Sequence, residues 1–171
     1  ARGAPTGPFR GVPFLIKDLL GYPGHRVAFG ARLFRENIAH EGSPYTARLD
    51  ASGLITLGKT TTSEFGMLGS TESRLYGITK NPWDLEKSAM GSSGGAAAAV
   101  ASGMVPIAHA SDGGGSIRIP GSACGLFAFK PGRGRAVASG PVDPAGLVIE
   151  HCLSRTVRDS ALFLSVTEDA S

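Results

Sequence analysis

The chain has 171 residues, 42% hydrophobic and 18% charged, with a formal net charge of +3. This is enough apolar material for one folded core, and the charge is too mild to signal a nucleic-acid partner. Glycine is frequent, at 25 residues, but shows no Gly-X-Y period, so a collagen-like chain is excluded.

In chain order, Val12 to Lys17 is a short apolar run after a Gly/Pro turn and predicts a buried strand ending at Lys17 and Asp18. Ser43, Pro44 and Gly53 frame Tyr45, Ala47 and Leu49 as an N-cap, first turn and stop frame a helix. Leu54 to Leu57 reads as a strand, residues 63–68 are ambiguous, and Asn81-Pro82-Trp83-Asp84 reads as a turn. The alanine run predicts a helix over Gly95 to Ser102, stopped by Gly103, with buried strands at Met104 to Ala110 and Leu126 to Phe129. Thr156 with Asp159 caps a final helix whose apolar face includes Val157, Ala161, Leu162 and Leu164. Strands alternating with helices point to an α/β layer structure around a largely buried sheet.

The remaining signals narrow the function class. Gly53 to Thr60 matches the phosphate-loop pattern G-x-x-x-x-G-K-[ST], but Leu54, Ile55, Thr56 and Leu57 favour a strand, whereas a phosphate cradle must be a loop. We read the match as an accident of spacing. Cys124 and Cys152 lack metal-type spacing and read as a reduced pair, which suits a cytoplasmic protein. Lys130, Arg133 and Arg135 have no interleaved aromatics and read as a solvated loop. No apolar run reaches the length of a membrane span. The start, Ala-Arg-Gly-Ala-Pro, lacks both a Met and a secretory signal and reads like the middle of a longer chain.

The informative segment runs from Met90 to Pro120, where Ser92 and Ser116 each sit among glycines. A serine needs a base to become a nucleophile, and acyl transfer needs fixed donors for the oxyanion. Gly113, Gly114 and Gly115 let backbone N–H groups turn inward beside Ser116. None of His25, His40, His109 and His151 is persuasively placed as the base, and His109, in an apolar run, reads as a packed core residue. Lys17, at the end of an apolar strand, can be desolvated into a base, and on the residues alone a surface lysine stays open beside that reading.

GVPFLIKD around Lys17, the Leu57-Gly-Lys-Thr turn, Asn81-Pro-Trp, GSSGG, DGGGSIRIPG and Lys130-Pro together resemble the amidase signature family of serine hydrolases. They occur in family order through most of the chain. The resemblance implies an α/β fold with a mixed, largely buried β-sheet flanked by helices, present here in part. Residues 1–171 would then be the central part of a single domain, with its N- and C-terminal portions absent. It further implies a Ser–cis-Ser–Lys triad: Ser116 as acylated nucleophile, Ser92 after a cis peptide bond as relay, and Lys17 as base. The N–H groups of Gly113, Gly114, Gly115 and Ser116 would hold the oxyanion, while Ser93, Asp112 and Arg118 brace the two loops, Asp112 by pairing with a basic group.

The implied reaction is hydrolysis of a linear carboxylic amide, with no cofactor and no metal. The implied partner is a small-molecule amide, with no nucleic acid or membrane, and a homodimer of the full-length chain is compatible with this reading. Two alternatives remain: a truncated amidase-fold subunit inactive by itself, and the glutamine-hydrolysing subunit of a tRNA-dependent amidotransferase. Met90 and Gly121 depart from the family pattern, which favours glycine and alanine there, and are expected to alter packing rather than chemistry.

Overall fold

A computed structural model describes residues 6–140 and 145–169. Strand β1 (Pro13–Lys17) pairs in parallel with β2 (Ile55–Thr60), and helix α1 (Pro44–Ala51) lies between them in sequence. Two small antiparallel ladders follow: β3 (Glu72–Ser73) with β4 (Gly77–Ile78), and β5 (Lys80–Asn81) with β6 (Asp84–Ser88). Helix α2 (Gly94–Ala101) leads to β7 (Ile107–Asp112), then α3 (Arg118–Ala123), β8 (Phe127–Ala128), β9 (Ile149–Ser154) and α4 (Val157–Thr167). Strand β9 runs between β7 and β8, antiparallel to both. The architecture is mixed α/β, and β1, β7 and β9 are its buried strands.

Local chemistry accounts for most of these elements. Ser43 Oγ accepts the Thr46 N–H at 3.2 Å and Thr46 Oγ1 accepts the Ser43 N–H at 2.8 Å, a reciprocal cap that starts α1. Thr156 Oγ1 accepts the Asp159 N–H at 3.1 Å and starts α4. Phe163 of α4 stacks on Phe14 of β1 with ring centroids 5.6 Å apart, joining the chain's two ends through one apolar cluster with Tyr45, Leu49 and Ile107. A second cluster packs the alanines of α2 against Ala108, Ala110, Ile117 and Leu153.

Several expectations need correction. The strand read at Met104 to Ala110 begins only at Ile107 and runs on to Asp112, because Gly103 to Pro106 form the turn out of α2. The strand at Leu126 to Phe129 shrinks to two residues. Strand β9 and helix α3 had no counterpart in the sequence reading. Residues 55–60 are a strand, so the Gly53 to Thr60 run has no loop in which to cradle phosphate. Met90 adopts φ +61°, the left-handed region that explains glycine's preference there. At Gly121 an added Cβ would collide with the Cβ of Ala128, so this chain needs glycine opposite that alanine.

Helix α2 is seated by Gly95, where a Cβ would fall 2.5 Å from Thr61 N and 2.6 Å from Thr61 O. Backbone atoms cannot step aside as a flexible side chain can. Gly95→Ala is therefore expected to lower unfolding stability by about 1–3 kcal/mol, read as a lower urea midpoint at unchanged slope.

Candidate active site

The site forms where three chain ends converge: the C-terminal end of β1, the loop before α2, and the loop after β7. Lys17 closes β1 and is fully buried, as is Ser93, while Ser92 is 1% exposed. The Lys17 Nζ lies 2.7 Å from Ser92 Oγ, 3.0 Å from Ser111 Oγ and 3.4 Å from Ser111 O. Burial lowers the Lys17 amine to about 8, against the opposing charges of Glu150 and Asp112. Ser111 drew no notice in the sequence, yet it supplies two of the three contacts. The only available signal was its spacing: it is two residues beyond His109 on one strand, hence on the same face.

The Gly91–Ser92 peptide bond is cis. Thr71 braces this loop from β3's side: its Oγ1 donates to Ser92 O at 3.2 Å and accepts the Gly94 N–H at 3.0 Å. Thr71 is a second residue the sequence reading missed. Ser93 spans the two loops, its Oγ donating to Ser111 O at 3.2 Å and its N–H to Ser116 O at 3.3 Å.

Asp112 organises the glycine loop. Its carboxylate accepts the N–H groups of Gly115 at 2.6 Å, Ile117 at 3.2 Å and Arg118 at 3.4 Å. The Arg118 guanidinium adds Nε at 2.9 Å and a terminal nitrogen at 3.0 Å. Burial pushes the Asp112 carboxyl upward, but these donors outweigh it and hold it at about 2. This geometry amends the four-donor oxyanion cradle read from the sequence, because the Gly115 N–H is spent on Asp112. The N–H groups of Gly113, Gly114 and Ser116 have no hydrogen-bond partner among the described residues.

Ser92 and Ser116 line one cavity of about 510 Å³ together with Gly113 and Gly114. Phe65, Met67, Leu68, Ile119 and Leu147 make its other walls apolar. Ser116 Oγ has no hydrogen-bond partner among the described residues, so the structure links Lys17 to Ser92 and leaves Ser116 in the cavity that Ser92 also lines. His25 and His40 lie elsewhere, and His151 is bonded to Ser160 at 2.7 Å, its imidazole lowered to about 4 by burial. His109 is fully buried, as its apolar setting suggested, but both of its ring nitrogens are bonded.

Lys59 of the rejected phosphate pattern donates to Leu20 O. Among the described residues, no group of three or more His, Cys, Asp or Glu is arranged to hold a metal ion. No helix among them is long and apolar enough to cross a membrane. Cys124 and Cys152 are buried free thiols.

The site thus brings together a buried lysine, a serine after a cis bond and a glycine loop beside a second serine, in the arrangement that the resemblance implied. Comparison with known proteins agrees. The family model described as Amidase matches residues 1–171, and the chain belongs to the amidase signature family. An acylamidase of Rhodococcus erythropolis is 44% identical over 167 residues, covering 96% of this chain and 35% of that protein. A solved structure of 6-aminohexanoate cyclic dimer hydrolase complexed with substrate superimposes with a TM-score of 0.92 at 39% identity, over 98% of this chain and 36% of that one. A bacterial aryl acylamidase structure of the same family gives a TM-score of 0.90 at 37% identity, over 99% and 36%. The fold is thus that of the amidase signature enzymes, and the chain spans about a third of the length of the relatives it matches.

Proposed function

We propose that the protein hydrolyses a carboxylic amide through a seryl acyl-enzyme on Ser116. The observation that carries this reading is the 2.7 Å contact between the buried Lys17 Nζ and Ser92 Oγ, at the edge of a cavity that also holds Ser116. The two Ser111 contacts engage two N–H bonds of the amine and leave its third position facing Ser92. In the neutral amine that position is a lone pair, able to take the Ser92 proton.

Ser92 in turn takes the Ser116 proton as Ser116 Oγ bonds to the amide carbon. The resulting oxyanion is stabilised by the N–H groups of Gly113, Gly114 and Ser116. As the C–N bond breaks, Ser92 passes its proton to the departing nitrogen and recovers one from Lys17. Water, deprotonated by the same relay, then attacks the ester carbon and releases the acid and Ser116. The contact between Ser92 and Ser116 would tighten on the substrate, as such contacts commonly do. The apolar walls favour an amide carrying hydrocarbon beside the carbonyl, which is consistent with the acylamidase and the cyclic-dimer hydrolase among the relatives.

A fluorophosphonate probe is expected to label the full-length protein stoichiometrically at Ser116, with labelling absent in Ser116→Ala. Mass spectrometry of the labelled peptide checks both results. Undiminished labelling of the variant would overturn the assignment.

A further inference from the structure

Beneath Lys17 lies a polar pair that the proposed relay does not use, His109 fully buried and Glu150 12% exposed at the wall of a neighbouring cavity. His109 Nδ1 accepts the Lys17 backbone N–H at 3.2 Å, and His109 Nε2 lies 2.8 Å from Glu150 Oε2. Because Nδ1 is an acceptor, the ring proton sits on Nε2 and donates to the carboxylate. Glu150 Oε1 accepts the Ser139 hydroxyl at 3.0 Å, so both carboxylate oxygens are engaged. The pair is built into the sheet: Glu150 stands opposite Ser111 in the β7–β9 register, and His109 opposite Cys152. Two β7 residues on one face thus hold both ends of Lys17, His109 at the backbone and Ser111 at the amine.

We infer that His109 and Glu150 are positioning residues for Lys17: His109 holds the Lys17 backbone N–H, and Glu150 holds His109 and places a carboxylate beneath the amine. This rests on the reading of Lys17 as the base. Every polar atom of the pair is engaged, and each contact leads toward Lys17 or closes the network.

The electrostatics support the same role. Glu150 is the larger of the two charges raising Lys17 against burial, Asp112 being the other. Burial alone would raise the Glu150 carboxyl, but the hydrogen bond from His109, the charge of Lys17 and the Ser139 hydroxyl together bring it below its ordinary value. The other groups around β1 are accounted for. Asp18 accepts from Ala28 N–H and Tyr76 OH, Lys59 donates to Leu20 O, and Asp112 is paired with Arg118. Tyr45 of α1 lies beside His109 with the rings tilted and their centroids 5.6 Å apart, and its hydroxyl is pushed well above its ordinary value by burial. His151 is lowered and Cys152 raised, both chiefly by burial, and helix α2 carries no charge.

The test follows the rate of fluorophosphonate labelling of the full-length protein from pH 5 to 10. In Glu150→Gln, which keeps an acceptor for His109 and removes the charge, the alkaline rise is expected to move to lower pH by about half to one unit. In His109→Leu, which strips the Lys17 N–H of its acceptor, the plateau rate is expected to fall roughly tenfold or more, and His109→Asn to recover part of it by offering an oxygen near the Nδ1 position. If His109→Leu does not fold, the Glu150→Gln profile decides alone. Ser116→Ala is the control: labelling that survives there overturns the proposed chemistry itself. With that control blank, a Glu150→Gln rise coincident with the parent's overturns the positioning role and leaves the chemistry standing.

Discussion

Lys17→Met is expected to lower amide hydrolysis by about 10²–10⁴-fold while the protein remains folded. Methionine fills the same slot without a base, so the loss would fall on kcat. In the parent, the rate should rise with pH through about 8, where the amine loses its proton, and level off above it. Stability carries the complementary signature. The folded lysine titrates near 8 and the unfolded one near 10.5, so between these values the unfolded chain binds more protons and stability rises with pH. Below about 8 the parent carries the full cost of a buried ammonium. At pH 7, Lys17→Met should therefore unfold at or above the parent midpoint in urea. A flat pH–rate profile, or a variant retaining parental kcat, would remove Lys17 from the mechanism.

Asp112→Ala is the second large expectation, and here activity and stability fall together. The substitution strands the N–H groups of Gly115, Ile117 and Arg118 and releases the Arg118 guanidinium. Arg118 is 54% exposed and finds water, so most of the cost lies in the three backbone donors. A loss of roughly 3–5 kcal/mol in unfolding free energy is expected. With the glycine loop released, its free N–H groups lose their aim, and kcat should drop by about 10²-fold or more. Acid sensitivity should expose the same group. Asp112 titrates near 2 folded and 3.8 unfolded, so its contribution is whole above 3.8 and lost as pH falls toward 2. Denaturation curves taken between pH 5 and 2 should show the parent converging on the variant.

What was legible in the sequence follows the range of the interactions involved. Helix α1 could be read because Ser43, Pro44 and Gly53 act on their own neighbours. Strand β9 could not. Ile149-Glu150-His151-Cys152-Leu153-Ser154 mixes polar with apolar residues, and its backbone and Glu150 find their partners on β7, far away in sequence. Helix α3 contains Pro120 and Gly121, poor helix formers, and its first turn is held by Asp112 from outside the helix. At the site, glycine loops and serines stood out as local patterns, whereas Ser111, Thr71 and the His109–Glu150 pair act through contacts made across strands and loops. The four-donor cradle failed for a related reason: a glycine run signals freedom to turn, but it does not reveal that Asp112 claims one of the donors.

The place of β9 between β7 and β8 bears on biosynthesis. A ribosome that has released the chain through α3 has exported Lys17, both site serines and the glycine loop, but not Glu150. Until β9 emerges, β7 lacks its antiparallel partner and the cluster around α2 lacks Leu153; Phe163 of the other cluster follows only with α4. The middle strand of this ladder also carries Glu150, so a nascent chain stalled before residue 149 holds every proposed reacting group without the strand that pairs with β7.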